Sequence, residues 1–335
     1  MTEHAAPGSP LDRALGALYG LAIGDALGMP TQSLSREEIG RRFGVLTGFE
    51  PADADHPIAA SMAAGSITDD TEQALLLARA LIEGGGHIAA EAFARELIAW
   101  EERMRARGSL DLLGPSTRRA ATAILAGTPV DEAGRSGDTN GAAMRIAPVG
   151  IAVASGDLHA LVDRVEEASR VTHNTGVAIA GAAAVAAAVS AGVAGATVAE
   201  SIRIAVEAAR LGASRGRWVA GASVARRIEW AAGLAHGGSG TALRDLYELV
   251  GTSLATQESV PAAFGVLALH PDDPWVACLA AASLGGDCDT IAAMAGAIGG
   301  ACHGVSALPA AAVERVRVVN DLDLEGPARR LLALR

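Results

Sequence analysis

An uncharged segment from Thr175 to Ala199 most constrains what this chain can fold into. It consists almost entirely of Ala, Gly and Val, with Ser190 and Thr197 inside it. A segment that is apolar on every side must be buried, either in a membrane or in the core of a large helical protein. Ala contributes little to membrane insertion, which Leu, Ile and Phe favour. The segment therefore predicts a core helix, with a membrane helix as the alternative.

Helical periodicity continues along most of the chain. Apolar residues recur at spacings of three and four in the ranges 11–24, 67–83, 93–104, 157–170, 175–192, 198–211, 218–235, 241–255 and 259–269, and in a last helix after residue 290. Strand-like alternation is nearly absent, with a weak run at 316–318, and loops are predicted at 45–66, 105–116 and 131–148. The prediction is a single compact all-α domain of many helices over residues 11–335, preceded by a flexible tail at residues 1–10.

Charge and cysteine content narrow the function classes. The 27 basic residues are all Arg, and with 38 acidic residues the formal net charge is −11. This balance argues against a nucleic-acid partner. Three cysteines without CxxC spacing argue against a disulfide framework or a structural zinc site. Since the N-terminus lacks the basic start and apolar stretch of a signal peptide, we expect a cytoplasmic protein.

Two acidic motifs open apolar helices more than 200 residues apart: TDDT at 68–71 and DCDT at 287–290. Each could simply cap its helix, because Thr and Asp are favoured there. However, one cap needs one oxygen, and each motif brings two carboxylates. If the two helix starts converge, four carboxylates share a small site and repel one another unless cations are bound. Oxygen ligands of this kind suit two Mg²⁺ or Mn²⁺ ions, with Thr68 and Thr290 completing the shells.

Other polar residues lie in apolar surroundings. Asp25 ends the first helix, either as a turn residue or as a site residue, since an acid is unfavourable at a negative helix end. The GDTNG sequence at 137–141 is either a tight turn or a loop that cradles a ligand with backbone N–H groups. His173 is either a core histidine or a ligand contact. Arg145 is a candidate for binding phosphate, with a structural salt bridge as the alternative.

Five sequence blocks resemble the ADP-ribosylglycohydrolase family, in the family's order. They are LAIGDALGMP at 21–30, ITDDTEQALLLARAL at 67–81, GDTNGAAMRIAPVG at 137–150, THNTG at 172–176 and GGDCDTIAAMAGAIGGACHG at 285–304. The resemblance implies an all-α fold and a hydrolase that cleaves the glycosidic bond at ribose C1 of an ADP-ribosyl adduct. It further implies that a water polarised on a binuclear Mg²⁺ or Mn²⁺ centre attacks that carbon.

The resemblance also assigns residues to roles. The implied metal ligands are Thr68, Asp69, Asp70, Asp287, Asp289 and Thr290. The implied substrate contacts are Asp25, Asp138, Thr139, Asn140, Gly141, His173, Gly286 and Cys288. The residues expected to take part in catalysis are Asp70, Asp289 and Gln32.

Two departures from the family pattern leave the substrate open. Many members carry Glu at the place of Gln32, and Gln cannot accept a proton. The nitrogenase-regulating branch carries Asp at the place of Leu112, whereas Asp111 here lies one residue early. The expected partner is therefore an ADP-ribosylated protein or a small ribosyl substrate, with no nucleic acid or membrane. A small N-riboside hydrolase and a non-catalytic ADP-ribose-binding protein are the alternatives.

Overall fold

The computed structural model describes residues 5–335, without the side chains at positions 236 and 239. Within these residues the chain forms seventeen α-helices and no β-strand. In chain order they are α1 (Pro10–Gly28), α2 (Arg36–Arg42), α3 (Asp69–Glu83), α4 (Ala90–Ala106), α5 (Pro115–Leu125), α6 (Val130–Ala133), α7 (Ala147–Ala152), α8 (Leu158–Ser169), α9 (Gly176–Val193), α10 (Val198–Gly212), α11 (Val224–Leu234), α12 (Ser239–Asp245), α13 (Thr256–Leu269), α14 (Pro274–Ala282), α15 (Cys288–His303), α16 (Ala310–Val319) and α17 (Glu325–Leu332).

The all-α prediction is confirmed, with local differences. The predicted loop at 131–148 contains a 3₁₀ turn at Asn140–Ala142 and the start of α7. The helix predicted at 218–235 begins only at Val224, where the Ser223 side chain caps it. The weak strand-like run at 316–318 lies inside α16. Residues 1–4 of the predicted tail lie outside the described residues, and Ser9 already caps α1.

Helix α9 lies in the core, as its composition predicts. Its mean hydropathy of 2.0 would allow it to cross a membrane by length and composition. However, 94% of it is buried against other parts of the chain. Since those neighbours already cover its apolar surface, the helix serves as the centre of the fold.

Helices α1 and α15 pack in antiparallel directions along facing small residues. Gly16 and Gly20 of α1 face Gly300 and Gly296 of α15 so closely that an added Cβ would lie 2.1 Å from the opposite carbonyl oxygen in both cases. At the end of α1, a Cβ on Gly28 would lie 2.3 Å from the Cα atom of Asp289. Only glycine permits this approach. The contact therefore fixes where the second acidic motif begins.

Candidate functional site

Asp25 joins the end of α1 to the start of α3. Its carboxylate accepts hydrogen bonds from the backbone N–H groups of Thr68 and Thr71 at 3.0 and 3.1 Å, and from the Thr68 hydroxyl at 2.7 Å. Asp25 is fully buried, and burial raises its pKa to about 6. Its oxygens are used in capping α3 from a neighbouring helix. It therefore positions the TDDT motif, and its role as a substrate contact stays a prediction.

The two acidic motifs meet where α3 and α15 begin. The Thr290 hydroxyl lies 3.2 Å from both carboxylate oxygens of Asp70. Burial, followed by the charge of Asp289, raises the pKa of Asp70 well above its ordinary value. Burial, followed by Asp111, Asp25 and Asp287, does the same for Asp69. The sequence prediction that the motifs converge thus agrees with the geometry.

A cavity of about 740 Å³ opens over this meeting point. Nine of the residues predicted for the site line it: Gln32, Asp69, Thr139, Asn140, Gly141, Gly286, Asp287, Asp289 and Thr290. The remaining predicted residues do not line it: Asp25, Thr68, Asp70, Asp138, His173 and Cys288. Thr68 and Asp70 lie directly behind the wall, where they hold Asp25 and Thr290.

The loop at 137–141 forms one wall of the cavity. The backbone N–H of Asn140 donates to the carbonyl of Leu254 at 3.0 Å, and the Asn140 side-chain amide donates to Ser259 at 3.0 Å and to Asp287 at 2.5 Å. The loop is therefore tied to the DCDT motif and is more than a tight turn. Asp138 itself is exposed and does not line the cavity, and its backbone carbonyl accepts from the Thr256 hydroxyl at 2.8 Å.

His173 and Cys288 are buried behind the cavity walls, and neither side chain lines the cavity. His173 has no exposed surface, and its Nε2 lies 2.9 Å from the Thr139 hydroxyl. Burial, followed by the charges of Arg145 and Arg119, lowers the pKa of His173 well below 6.5, so the ring is neutral. The Cys288 thiol packs 3.3 Å from the Thr31 hydroxyl, and burial raises its pKa to about 12. A thiol of this kind is inert.

Asp111 is a cavity residue that the sequence analysis did not assign to the site. It lies on the 108–114 loop and lines the cavity, and it is only 7% exposed. Burial, followed by the charge of Asp25, raises its pKa to about 7. Leu112, at the position where the resemblance placed an acid, also lines the cavity. The sequence feature that pointed to Asp111 is its place one residue before Leu112, just ahead of Gly114 and Pro115 at the start of α5.

The donor chemistry of the site suits a hard cation. Among the described residues, no three His, Cys, Asp or Glu side chains are already gathered as a metal site. However, buried Oδ1 of Asp289 has no hydrogen-bond partner. Thr68 donates its proton to Asp25, which leaves its oxygen lone pairs available. Carboxylate and hydroxyl oxygens are the ligands that Mg²⁺ and Mn²⁺ prefer, so the residues fit the predicted ions.

Known proteins resemble this chain along nearly its whole length. The family model described as ADP-ribosylglycohydrolase matches residues 6–335. The chain is 38% identical over 326 residues to uncharacterized protein YegU of Escherichia coli (strain K12), covering 97% of each. It is 30% identical over 318 residues to the ADP-ribosylarginine hydrolase Tri1 of Pseudomonas putida (strain GB-1), covering 92% of this chain and 76% of Tri1. A solved structure, described as an "ADP-ribosylglycohydrolase-related protein complex", matches with a TM-score of 0.72 and 25% identity, covering 97% of this chain and 99% of that one.

Proposed function

The chain belongs to the ADP-ribosylglycohydrolase family and is a hydrolase of glycosidic bonds, and we propose that it releases ADP-ribose from an ADP-ribosylarginine-like adduct by cleavage at ribose C1. The observation that carries the proposal is the convergence of two helix N-termini, with their carboxylates, on one cavity. Tri1, which is named an ADP-ribosylarginine hydrolase, supports this substrate class.

We propose two Mg²⁺ or Mn²⁺ ions as cofactors. Their ligands would be drawn from Thr68, Asp69, Asp70, Asp287, Asp289 and Thr290. Such ions, when bound, bind sugar hydroxyls and make water more acidic. Burial, followed by mutual repulsion, raises the pKa values of the buried carboxyl groups, and the charge of the ions would relieve that repulsion.

The chain's own residues bind and orient the substrate. Thr139, Asn140 and Gly141 form the wall against which the ribose lies. Gln32 offers a buried Nε2 without a hydrogen-bond partner, and Asp289 offers a buried Oδ1 without one. One is a donor and the other an acceptor, so each can bind a water or a hydroxyl in the cavity. Asp70 orients Thr290 from behind the wall.

The location and the partner of the enzyme follow from the same proposal. We propose a cytoplasmic enzyme whose partner is an ADP-ribosylated protein or a small ribosyl compound, without nucleic acid or membrane. The net charge of −11 and the burial of α9 support this view.

A small N-riboside is a second candidate substrate, and the lining of the cavity favours it. No aromatic side chain among the described residues lines the cavity, so an adenine ring would find no stacking partner there. The Arg118 guanidinium at the cavity is already paired with Glu101. Leu110 and Leu254 are more than half exposed at the cavity. This surface suits a compact, uncharged aglycone.

A substrate comparison tests both candidates. Purified protein with Mg²⁺ is offered ADP-ribosylarginine and a panel of N-ribosides, and the release of ADP-ribose or ribose is measured with and without EDTA. The proposal expects EDTA-sensitive release of ADP-ribose. Release from N-ribosides alone would replace the substrate, and release that persists in EDTA would contradict the cofactor. Asp289→Asn should abolish turnover. Asp272→Asn, which changes an exposed carboxylate, is the control and should leave turnover unchanged.

A non-catalytic ADP-ribose-binding role predicts a different pattern. The wild type would bind ADP-ribose but release none from any substrate, and Gln32→Glu would create activity. Unchanged high activity in Gln32→Glu would exclude that role.

A further inference from the structure

Arg145 is a buried cation without a carboxylate partner. It is 1% exposed, and no ion pair to it exists among the described residues. Its guanidinium lies 5.3 Å from the centre of the Phe93 ring. Burial lowers its pKa to about 10, so it remains charged at neutral pH. It does not line the cavity, and therefore neither alternative from the sequence, phosphate binding or a salt bridge, describes it.

Two hydrogen-bonded chains leave Arg145 in opposite directions and end on the cavity. One runs through Thr172 and His173 to Thr139, and the other runs through Gln73 to Asp69. The intermediate residues have no more than 1% of their surface exposed. Thr139 and Asp69 both line the cavity.

The first chain fixes the proton of the Thr139 hydroxyl. A guanidinium can only donate, so the Thr172 hydroxyl accepts from Arg145. Among the described residues, Nδ1 of His173, at 2.7 Å, is the one acceptor that the buried Thr172 hydroxyl contacts, so the proton of Thr172 is donated there. Because the ring is neutral, its proton lies on Nε2 and is donated to Thr139 at 2.9 Å. The Thr139 hydroxyl has accepted one bond, and its own proton is left to donate into the cavity.

The second chain fixes the acceptor on the other side. Oε1 of Gln73 accepts from Arg145 at 2.8 Å, which sets the orientation of the amide. Nε2 of Gln73 then donates to Oδ2 of Asp69 at 2.7 Å. This bond holds Asp69 as an acceptor and leaves its other oxygen for a cation or a sugar hydroxyl.

We propose that Arg145 is a positioning residue that sets the hydrogen-bonding polarity of two residues of the cavity at once, with Thr139 as donor and Asp69 as acceptor. The kinetic part of this inference rests on the proposed hydrolase function, whereas the proton positions do not. Arg145 touches neither the cavity nor a reacting atom, and it acts only through Thr172, His173 and Gln73.

The tautomer of His173 tests the inference without any substrate. Long-range ¹H–¹⁵N spectra of histidine-labelled protein at pH 7 distinguish a protonated Nε2 from a protonated Nδ1. We expect His173, assigned by its loss in His173→Gln, to be neutral with its proton on Nε2. Thr172→Val keeps the shape of the side chain and removes the relay, so the tautomers should become mixed. A wild-type ring protonated on Nδ1, or a Thr172→Val spectrum identical to that of the wild type, would overturn the inference.

A double-mutant cycle on the accepted substrate adds a kinetic test. Thr172→Val and Thr139→Val should each lower kcat/KM about tenfold, the effect of losing one hydrogen bond to the substrate. The double variant should lower kcat/KM no further than Thr139→Val alone. Multiplying effects would show that Thr172 acts only through packing and would overturn the relay. Ser190→Ala, which removes a buried hydroxyl bonded to the Val153 carbonyl, is the control and should change neither the spectrum nor kcat/KM. If nothing is hydrolysed, the proposed function fails, and the tautomer result still decides the relay.

Arg145→Lys tests the guanidinium itself while keeping a buried positive charge at this position. Lys can donate to Gln73 or to Thr172 but lacks the planar fork that reaches both. We expect this variant to fold and to retain only part of the tautomer preference. A full Nε2–H preference in Arg145→Lys with wild-type kcat/KM would contradict the need for the guanidinium.

Discussion

Gly20→Ala should destabilise the protein through the contact between α1 and α15. The added Cβ would lie 2.1 Å from the carbonyl oxygen of Gly296, whereas ordinary contacts begin near 3.4 Å. The two helices would have to separate by about 1.3 Å, and no side-chain rotation can relieve the clash because both partners are backbone. Overpacking of this kind costs about 1–3 kcal/mol or more. Ala favours a helix over Gly by about 1 kcal/mol, and because the clash is with rigid backbone we expect the upper end of this range, a net loss of up to about 2 kcal/mol.

Gly40→Ala is the matched control for this prediction. Gly40 lies inside α2, is exposed, and an added Cβ would meet nothing within 4 Å. It should therefore gain about 0.5–1 kcal/mol from helix propensity alone. Urea unfolding followed by circular dichroism gives both values. If Gly20→Ala is as stable as Gly40→Ala, the close backbone contact does not hold α1 against α15.

Three further predictions concern the acidic cavity. The free energy of unfolding of cation-free protein should fall as pH rises from about 4 to about 7. The reason is that folding raises the pKa values of Asp25 and Asp287 from 3.8 to about 6 and that of Asp111 to about 7. Thermal unfolding at pH 5 and pH 8 measures this loss, and added Mg²⁺ should restore stability mainly at pH 8. Asp111→Asn should stabilise cation-free protein at pH 8, because it removes a buried carboxyl group whose pKa is raised to about 7, and melting assays will show this. Gln32→Glu should raise cation affinity in calorimetric titration, because it adds a carboxylate to the cavity.

The amino-acid pattern predicted the fold class because burial follows periodicity. The Ala-rich segment forms the core helix α9, and the helix predicted after residue 290 is α15. Irregular boundaries were harder to predict. The helix predicted at 241–255 ends in a π-helical turn at Leu246–Val250, followed by Gly251 with φ of +88°. That backbone choice depends on neighbours from distant parts of the chain.

The candidate site was predictable in its residue types and less so in its contacts. Capping alone could not account for two carboxylates in each acidic motif, so the sequence predicted that the motifs converge. The Thr290 hydroxyl does contact Asp70. Asp25, His173 and Cys288 were expected at the substrate, yet each is fully buried behind the wall. A sequence shows that a polar residue lies in apolar surroundings, but it does not show whether its partner is a ligand or another side chain. Asp111 was missed because several consecutive residues of its loop line the cavity, and the sequence does not show how such a loop folds over it.

Cation binding decides whether α3 and α15 form a binuclear metal site. Mn²⁺ is titrated into metal-free protein at pH 7.5 and followed by calorimetry and by electron paramagnetic resonance, in the wild type and in Asp289→Asn. The account predicts two Mn²⁺ ions per chain in the wild type, with magnetic coupling between them, and the loss of at least one in Asp289→Asn. An absence of binding in folded wild-type protein, or binding unchanged in Asp289→Asn, would contradict a binuclear site at the meeting point of α3 and α15.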